Sequence, residues 1–304
     1  MHTDADADVI IVGAGPAGLS AALILARACR RVIVFDHDRP RNAATRELHG
    51  FLTRDGTPPS AFREYGRAEL AKYPGVTIQP HEVLDAARLD TGLFEVELAD
   101  TRRFTSRKLL LATGVVDLLP DVPGLSELYG HSVFHCPYCD GWELRDAGLA
   151  AYGRGKRGHG LSLELLGWSK DVVLCTDGDS ELDSKERARL TRNGIAIHEA
   201  RIARLEGCGG VLERVVFADG SSLPRRALFF SNGQSQCSRL AERLGCEFND
   251  KGTVRTGPYE STHMPGLYVA GDASRAVQWV VVAAAEGAEA AYAINQDLLK
   301  HSVR

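Results

Sequence analysis

The sequence predicts an α/β protein built from two strand–glycine loop–helix–strand units. Three observations carry this. Asp8–Gly13 is a short apolar run that enters Gly13-Ala14-Gly15-Pro16-Ala17-Gly18 and then an Ala/Leu-rich stretch. Gly148–Gly153 does the same, entering Gly153-Arg154-Gly155-Lys156-Arg157-Gly158. The 304 residues carry 44% hydrophobic and 25% charged side chains, ordinary for a globular chain long enough for two domains.

In the first unit, Asp8–Gly13 reads as a buried parallel strand and Ala17–Ala28 as the helix after it. Gly13, Gly15 and Gly18, with Pro16 and Ala17 between them, fit G-x-G-x-x-G in its proper context. Such glycines permit a tight turn and close approach of a pyrophosphate to the helix N-terminus. The next strand, Arg31–Phe35, ends at Asp36, about twenty residues past the glycines, where an acid accepts from ribose hydroxyls. Asp38–Pro59 is a polar, Arg-rich loop. Its Asn42 and His49 join the cofactor-binding candidates.

Ala61–Tyr73 is predicted helical. Val76–Pro80, Phe94–Ala99 and Arg103–Ser106 are predicted as strands of a meander. Leu109–Gly114 is a further buried strand whose Ala112-Thr113-Gly114 backbone can lie against a cofactor. Pro120–Gly124 has linker composition.

In the second unit, a helix over Gly160–Gly167 precedes a strand over Asp171–Cys175. There the chain reads Cys175-Thr176-Asp177-Gly178-Asp179. A 2′-phosphate wants arginines at this point, and carboxylates repel it. Asp177 suits a free 2′-hydroxyl instead, unless the site binds neither nucleotide. Lys156 and Arg157 are either pyrophosphate ligands or solvated loop charges. Ser184–Asn193 is a charged helix. Leu212–Phe217 and Ala227–Phe230 are strands about an exposed turn, and Leu240–Leu244 is a short helix. Gly266–Ala270 is the last buried strand, followed by Gly271-Asp272-Ala273, and a small-residue helix over Gln278–Leu299 closes the chain. Asp272 is placed for a flavin's ribityl hydroxyls or, alternatively, as a helix cap. The helix start near Gln278 suits negative charge on a reduced flavin.

Between the two units lies His135-Cys136-Pro137-Tyr138-Cys139-Asp140-Gly141. Two cysteines at this spacing suit a reversible disulfide, with one thiolate to attack and one to resolve. They equally suit half a zinc site, but no second pair completes one, and no metal is expected. The chain has seven cysteines, an odd number without regular pattern, which argues against an extracellular disulfide framework. A net charge of −4 gives no footing for nucleic acid or an anionic membrane. Met1–Asp8 lacks the character of a signal peptide, and no apolar run is long enough to span a bilayer, so a cytoplasmic location is expected.

Together, Gly13–Gly18, Ala112-Thr113-Gly114, Cys136–Gly141 and Gly271-Asp272-Ala273 with Gln278 resemble the low-molecular-weight thioredoxin reductases over nearly the whole chain. The resemblance implies an α/β fold of two Rossmann-like dinucleotide-binding domains (three-layer ββα/βα), the second inserted in the first. An FAD domain would take residues 1–116 and 240–304, and a nicotinamide-type domain carrying the redox pair residues 117–239. It implies FAD as cofactor and a thioredoxin-like protein or small dithiol as partner. It also implies a homodimer. Cys139 would face the flavin, Cys136 would attack or release the partner, and Asp140 would move the proton. The family's arginine pair for the NADP phosphate is missing, which places NADPH or NADH as electron donor in doubt. Trp279 also stands where the family has a small residue. These departures resemble relatives without a usable nicotinamide site, and flavin dithiol oxidases that pass electrons to oxygen; a non-catalytic flavin redox sensor is the remaining alternative, and the retained Cys136, Cys139 and Asp140 argue against it.

Overall fold

The computed structural model describes residues 5–302, so the first four residues of the acidic N-terminal stretch lie outside them. The chain forms two compact units. One runs to Ala43, takes up again over Gly50–Val116 and resumes at Gln234. The other holds Ala44–His49 and Asp117–Gly233. The last crossing, at 233/234, therefore falls six residues before the expected 239/240 boundary, and His49 goes with the second unit.

The first unit is built on β1 (Ala7–Val12), α1 (Pro16–Arg27), β2 (Val32–Phe35), α2 (Pro59–Leu70), β3 (Val76–Gln79), β4 (Val83–Arg88), β5 (Phe94–Leu98) and β6 (Arg103–Leu111). Its sheet runs β3-β2-β1-β6-β5-β4, and Leu267–Val269 also pairs with β6. β1, β2 and β3 are parallel neighbours. The predicted meander is corrected here. Val76–Gln79 follows a helix, so it joins the parallel edge, and the meander is β4-β5-β6 instead. β4 escapes a periodicity reading because a bulge between Val83 and Asp85 breaks its alternation.

The two strands expected at 103–106 and 109–114 are one. The first half of β6 pairs antiparallel with β5. Its end, Leu109–Leu111, lies parallel between β1 and Leu267–Val269. Buried on both faces, that end reads as a continuous leucine run. α1 covers one face of the sheet, burying Leu19, Ala21, Ala22 and Leu25 with Val9, Ile11, Val34 and Leu110.

The second unit repeats the plan. Its parallel sheet runs Ala196–His198, Val172–Cys175, Leu149–Tyr152, Ala227–Phe230, Val133–Phe134. The helix after its glycine loop begins at Gly155, not Gly160, directly on the loop. Ala227–Phe230 does not pair with Leu212–Phe217 as expected. Val211–Phe217 is the middle of a separate antiparallel sheet with Ile202–Cys208 and Ser222–Pro224. Among the described residues, no helix is long and apolar enough to cross a membrane.

Candidate active site

The redox pair sits where a short strand, Val133–Phe134, turns into a one-turn helix, Pro137–Asp140. Cys136 is the N-cap, and Pro137 at the first helical position is pre-set for the turn. Closing that turn brings the two Cα atoms to 5.3 Å, and Cys136 and Cys139 form a disulfide. The backbone N–H of Cys139 donates to Cys136 Sγ at 3.1 Å. A donor so placed favours a thiolate on Cys136 once the bond opens. Tyr138 and Trp142 stand exposed beside the pair. Tyr138 lies edge-on to Trp168 and the Arg145 guanidinium covers Trp142.

Asp140 follows Cys139. Burial pushes its carboxyl up to about 7, with His49 opposing the rise and Glu143 adding to it. His49 Nε2 is itself 3.7 Å from Glu143 Oε1. A carboxyl poised near neutrality can give or take a proton at the adjacent thiol. His49, named as a cofactor ligand on sequence grounds, thus contributes to the field at Asp140.

In the first unit, Gly13 has φ +104°, and a Cβ on Gly18 would lie 1.9 Å from the Gly13 carbonyl oxygen. That close approach is what binds α1 to the end of β1. Gly15 differs. Its φ is −74°, and a Cβ there would meet no protein atom within 4 Å. Neither conformation nor packing demands glycine at that point, so the space beside the α1 N-terminus fits a ligand's approach. Ala17 is packed into the core, while Pro16 opens the helix. Ala112 crosses the loop, its carbonyl oxygen 2.3 Å from where a Gly13 Cβ would be, with Thr113 beside it.

Asp36 Oδ1 accepts from Ala14 N–H at 3.2 Å, and Arg67 Nη2 lies 2.5 Å from its other oxygen. Asp36, Asp38, Arg67, Leu70, Val76 and Ile78 line a cavity of about 490 Å³ with both charged and apolar side chains in its wall. Such a lining suits a ribose and a flat aromatic base. Sequence reasoning missed Arg67, which reaches Asp36 across 31 positions from α2.

The same unit joins three further residues. Arg41 Nη1 lies 2.8 Å from Asp272 Oδ2 and 2.7 Å from Gln278 Oε1. Gln278 Nε2 donates to the Asp272 carbonyl at 3.1 Å. Asp272 lies in a single helical turn, Gly271–Ala273, and the closing helix starts only at Val280. The helix-cap alternative is thereby replaced by an ion pair. Asn42 follows Arg41 in the same loop, and Gly114 accepts from Cys237 N–H at 3.1 Å.

The second glycine loop repeats the packing but not the opening. A Cβ on Gly158 would lie 2.5 Å from the Gly153 carbonyl oxygen, the counterpart of Gly18 and Gly13. Yet Gly155 N–H donates to the Ser180 carbonyl at 2.7 Å, and Glu181 lies over Gly155. Arg154 Nε donates to the Thr176 carbonyl at 2.8 Å, and Nη2 to that of Asp177. Asp177 Oδ1 accepts from Ile202 N–H at 2.8 Å, so the acid expected to meet a ribose holds a neighbouring strand.

A family model, pyridine nucleotide-disulphide oxidoreductase, matches residues 7–287. Thioredoxin reductase aclD of Aspergillus oryzae is 32% identical over 302 residues, 96% of either chain. The solved structure of TrxB of Bacillus anthracis has a TM-score of 0.92 at 36% identity, covering 97% of this chain and 99% of that one. HlmI has a TM-score of 0.91, also at 36% identity, over 97% and 93%. With the disulfide, the poised acid and the paired glycine loops, these likenesses mean that the chain belongs to the pyridine nucleotide-disulphide oxidoreductases, as a thioredoxin reductase-like FAD oxidoreductase.

Proposed function

We propose that this protein transfers electron pairs between a dithiol substrate and FAD through Cys136 and Cys139, with no nicotinamide dinucleotide at its second glycine loop. The contrast between the two loops carries the reading. At Gly15 a Cβ would meet no protein atom within 4 Å, whereas at Gly155 the N–H is already given to the Ser180 carbonyl and Glu181 lies in ordinary contact, 3.8–3.9 Å from where a Cβ would be. An anionic pyrophosphate is repelled by a carboxylate and cannot share an N–H already given to a carbonyl.

Without a nicotinamide donor, electrons enter from the thiol side. The substrate is then oxidised: R(SH)₂ becomes the cyclic disulfide, and dioxygen, taking two electrons and two protons, leaves as hydrogen peroxide. Bound FAD would supply the two-electron exchange with the thiol pair and with oxygen. Gly13–Gly18, Asp36, Ala112–Gly114, Asp272 and Gln278 would hold it. Asn42 is proposed to line the same site. The chain's own part is to close and open the disulfide and to move the proton of Cys139 through Asp140. The substrate is a small dithiol or a thioredoxin-like protein, and the assembly is a homodimer like the enzymes it resembles.

The test is a Cys139→Ser protein reconstituted with FAD. Dithiothreitol added without air bleaches the wild-type flavin and leaves that of the variant oxidised. Bleaching of the variant at the wild-type rate would remove the disulfide from the reaction.

A further inference from the structure

Asp140 serves one end of the redox pair, but oxidation of a dithiol releases two protons. The other end carries its own polar assembly. Val133–Phe134 delivers His135 to the position directly before Cys136. His135 Nδ1 lies 3.3 Å from Tyr129 Oη and 3.5 Å from Asp117 Oδ2. Tyr129 Oη donates to the same Asp117 oxygen at 2.7 Å. The Asp117 side chain is only 5% exposed, while that of His135 is 33% exposed.

These contacts set the tautomer. A phenol has one proton, and Tyr129 gives it to the Asp117 carboxylate. Its oxygen is left to accept, so the hydrogen on His135 lies on Nδ1 and the lone pair on Nε2. The ring is thereby held as a base, and the buried Asp117 carboxylate, 3.5 Å from Nδ1 and hydrogen-bonded to Tyr129, steadies the cation it becomes. A histidine oriented by a carboxylate is how a weak nucleophile is activated.

Resting on the dithiol reading above, we propose that His135 is the catalytic base for the incoming substrate thiol, with Tyr129 and Asp117 as its positioning residues. The first substrate thiol gives its proton to His135 Nε2. The sulfur attacks Cys136 Sγ, a mixed disulfide forms, the Cys136–Cys139 bond breaks, and its electron pair goes to Cys139 as thiolate. The second substrate thiol then gives its proton to Asp140 and attacks the substrate sulfur bound to Cys136. Cys136 leaves and takes back the proton held by His135. Two protons and two electrons have then moved from substrate to protein.

The test uses the FAD-loaded protein without air and counts opened disulfides by alkylation and mass spectrometry, independently of flavin colour. A series of thiols is used, from weakly to strongly acidic. His135→Asn should slow opening by about 100-fold or more with a weakly acidic thiol at neutral pH. The loss should shrink to a few-fold with a thiol already ionised at the assay pH. Tyr129→Phe, which changes one atom, should give a smaller loss with the same dependence and covers the case in which the first variant does not fold. A loss that is equal across the series in both variants, or no loss, would overturn the proposal. Wild-type protein whose disulfide no thiol opens would instead refute the underlying dithiol reading.

Discussion

Arg41 and Asp272 form a half-buried ion pair, Nη1 to Oδ2 at 2.8 Å, across 231 positions of sequence. The same nitrogen reaches Gln278, so one guanidinium orders two residues proposed to hold the flavin. Arg41→Met removes a charge-assisted hydrogen bond worth about 1.5–3 kcal/mol. FAD affinity should fall roughly tenfold or more, as measured by flavin released on dilution and dialysis. Undiminished FAD retention would show that the pair orders nothing the cofactor needs.

Gly15 separates ligand binding from folding. Its backbone, φ −74° and ψ −176°, is one any residue adopts, and a Cβ meets open space. Gly15→Ala should therefore leave the melting temperature of the FAD-free protein unchanged or raise stability by about 0.4–1 kcal/mol, since alanine restricts the unfolded chain. It should nevertheless weaken FAD binding. Gly18→Ala should destabilise the fold itself, because its Cβ would strike the Gly13 carbonyl. Equal damage to folding in both variants would contradict the distinction.

Asp140 makes stability depend on pH. Its carboxyl goes from an ordinary 3.8 to about 7 on folding because burial disfavours the charge. A raised acid contributes stability that is complete below the unfolded value and is lost as pH rises through the folded one. The cost is thus fully present above about pH 7 and amounts to roughly 4 kcal/mol at most. Asp140→Asn removes the titration. The variant should gain stability relative to wild type between pH 5 and pH 8, read by denaturant melts at both values. A constant difference would show that the acid is not held neutral by its surroundings.

The glycine loops, the redox pair and both halves of the fold were legible because each is a local signal. A steric requirement at Gly18 or a two-residue gap between cysteines is written within a few positions. What stayed hidden was set at long range. Arg67 meets Asp36 from a helix whose pattern shows only its buried face. Arg41 reads as loop charge until Asp272 arrives from the other end of the chain. The direction of β3 was misjudged because its four residues look alike in a meander and in a parallel edge. At the second loop the sequence offered Asp177 as a ribose partner or as a sign of a site that binds neither nucleotide. It did not show that Ser180 and Arg154 take up the backbone groups there.

Under the proposed function, electrons enter at Cys136 and Cys139 from a dithiol and not from a nicotinamide. The most direct measurement follows flavin absorbance in the FAD-loaded protein without air, with NADPH, NADH or dithiothreitol added in turn. Dithiothreitol alone should bleach the flavin, and admitting air should restore it with one equivalent of hydrogen peroxide. Rapid bleaching by NADPH or NADH would contradict the claim and restore the second glycine loop as a working nucleotide site.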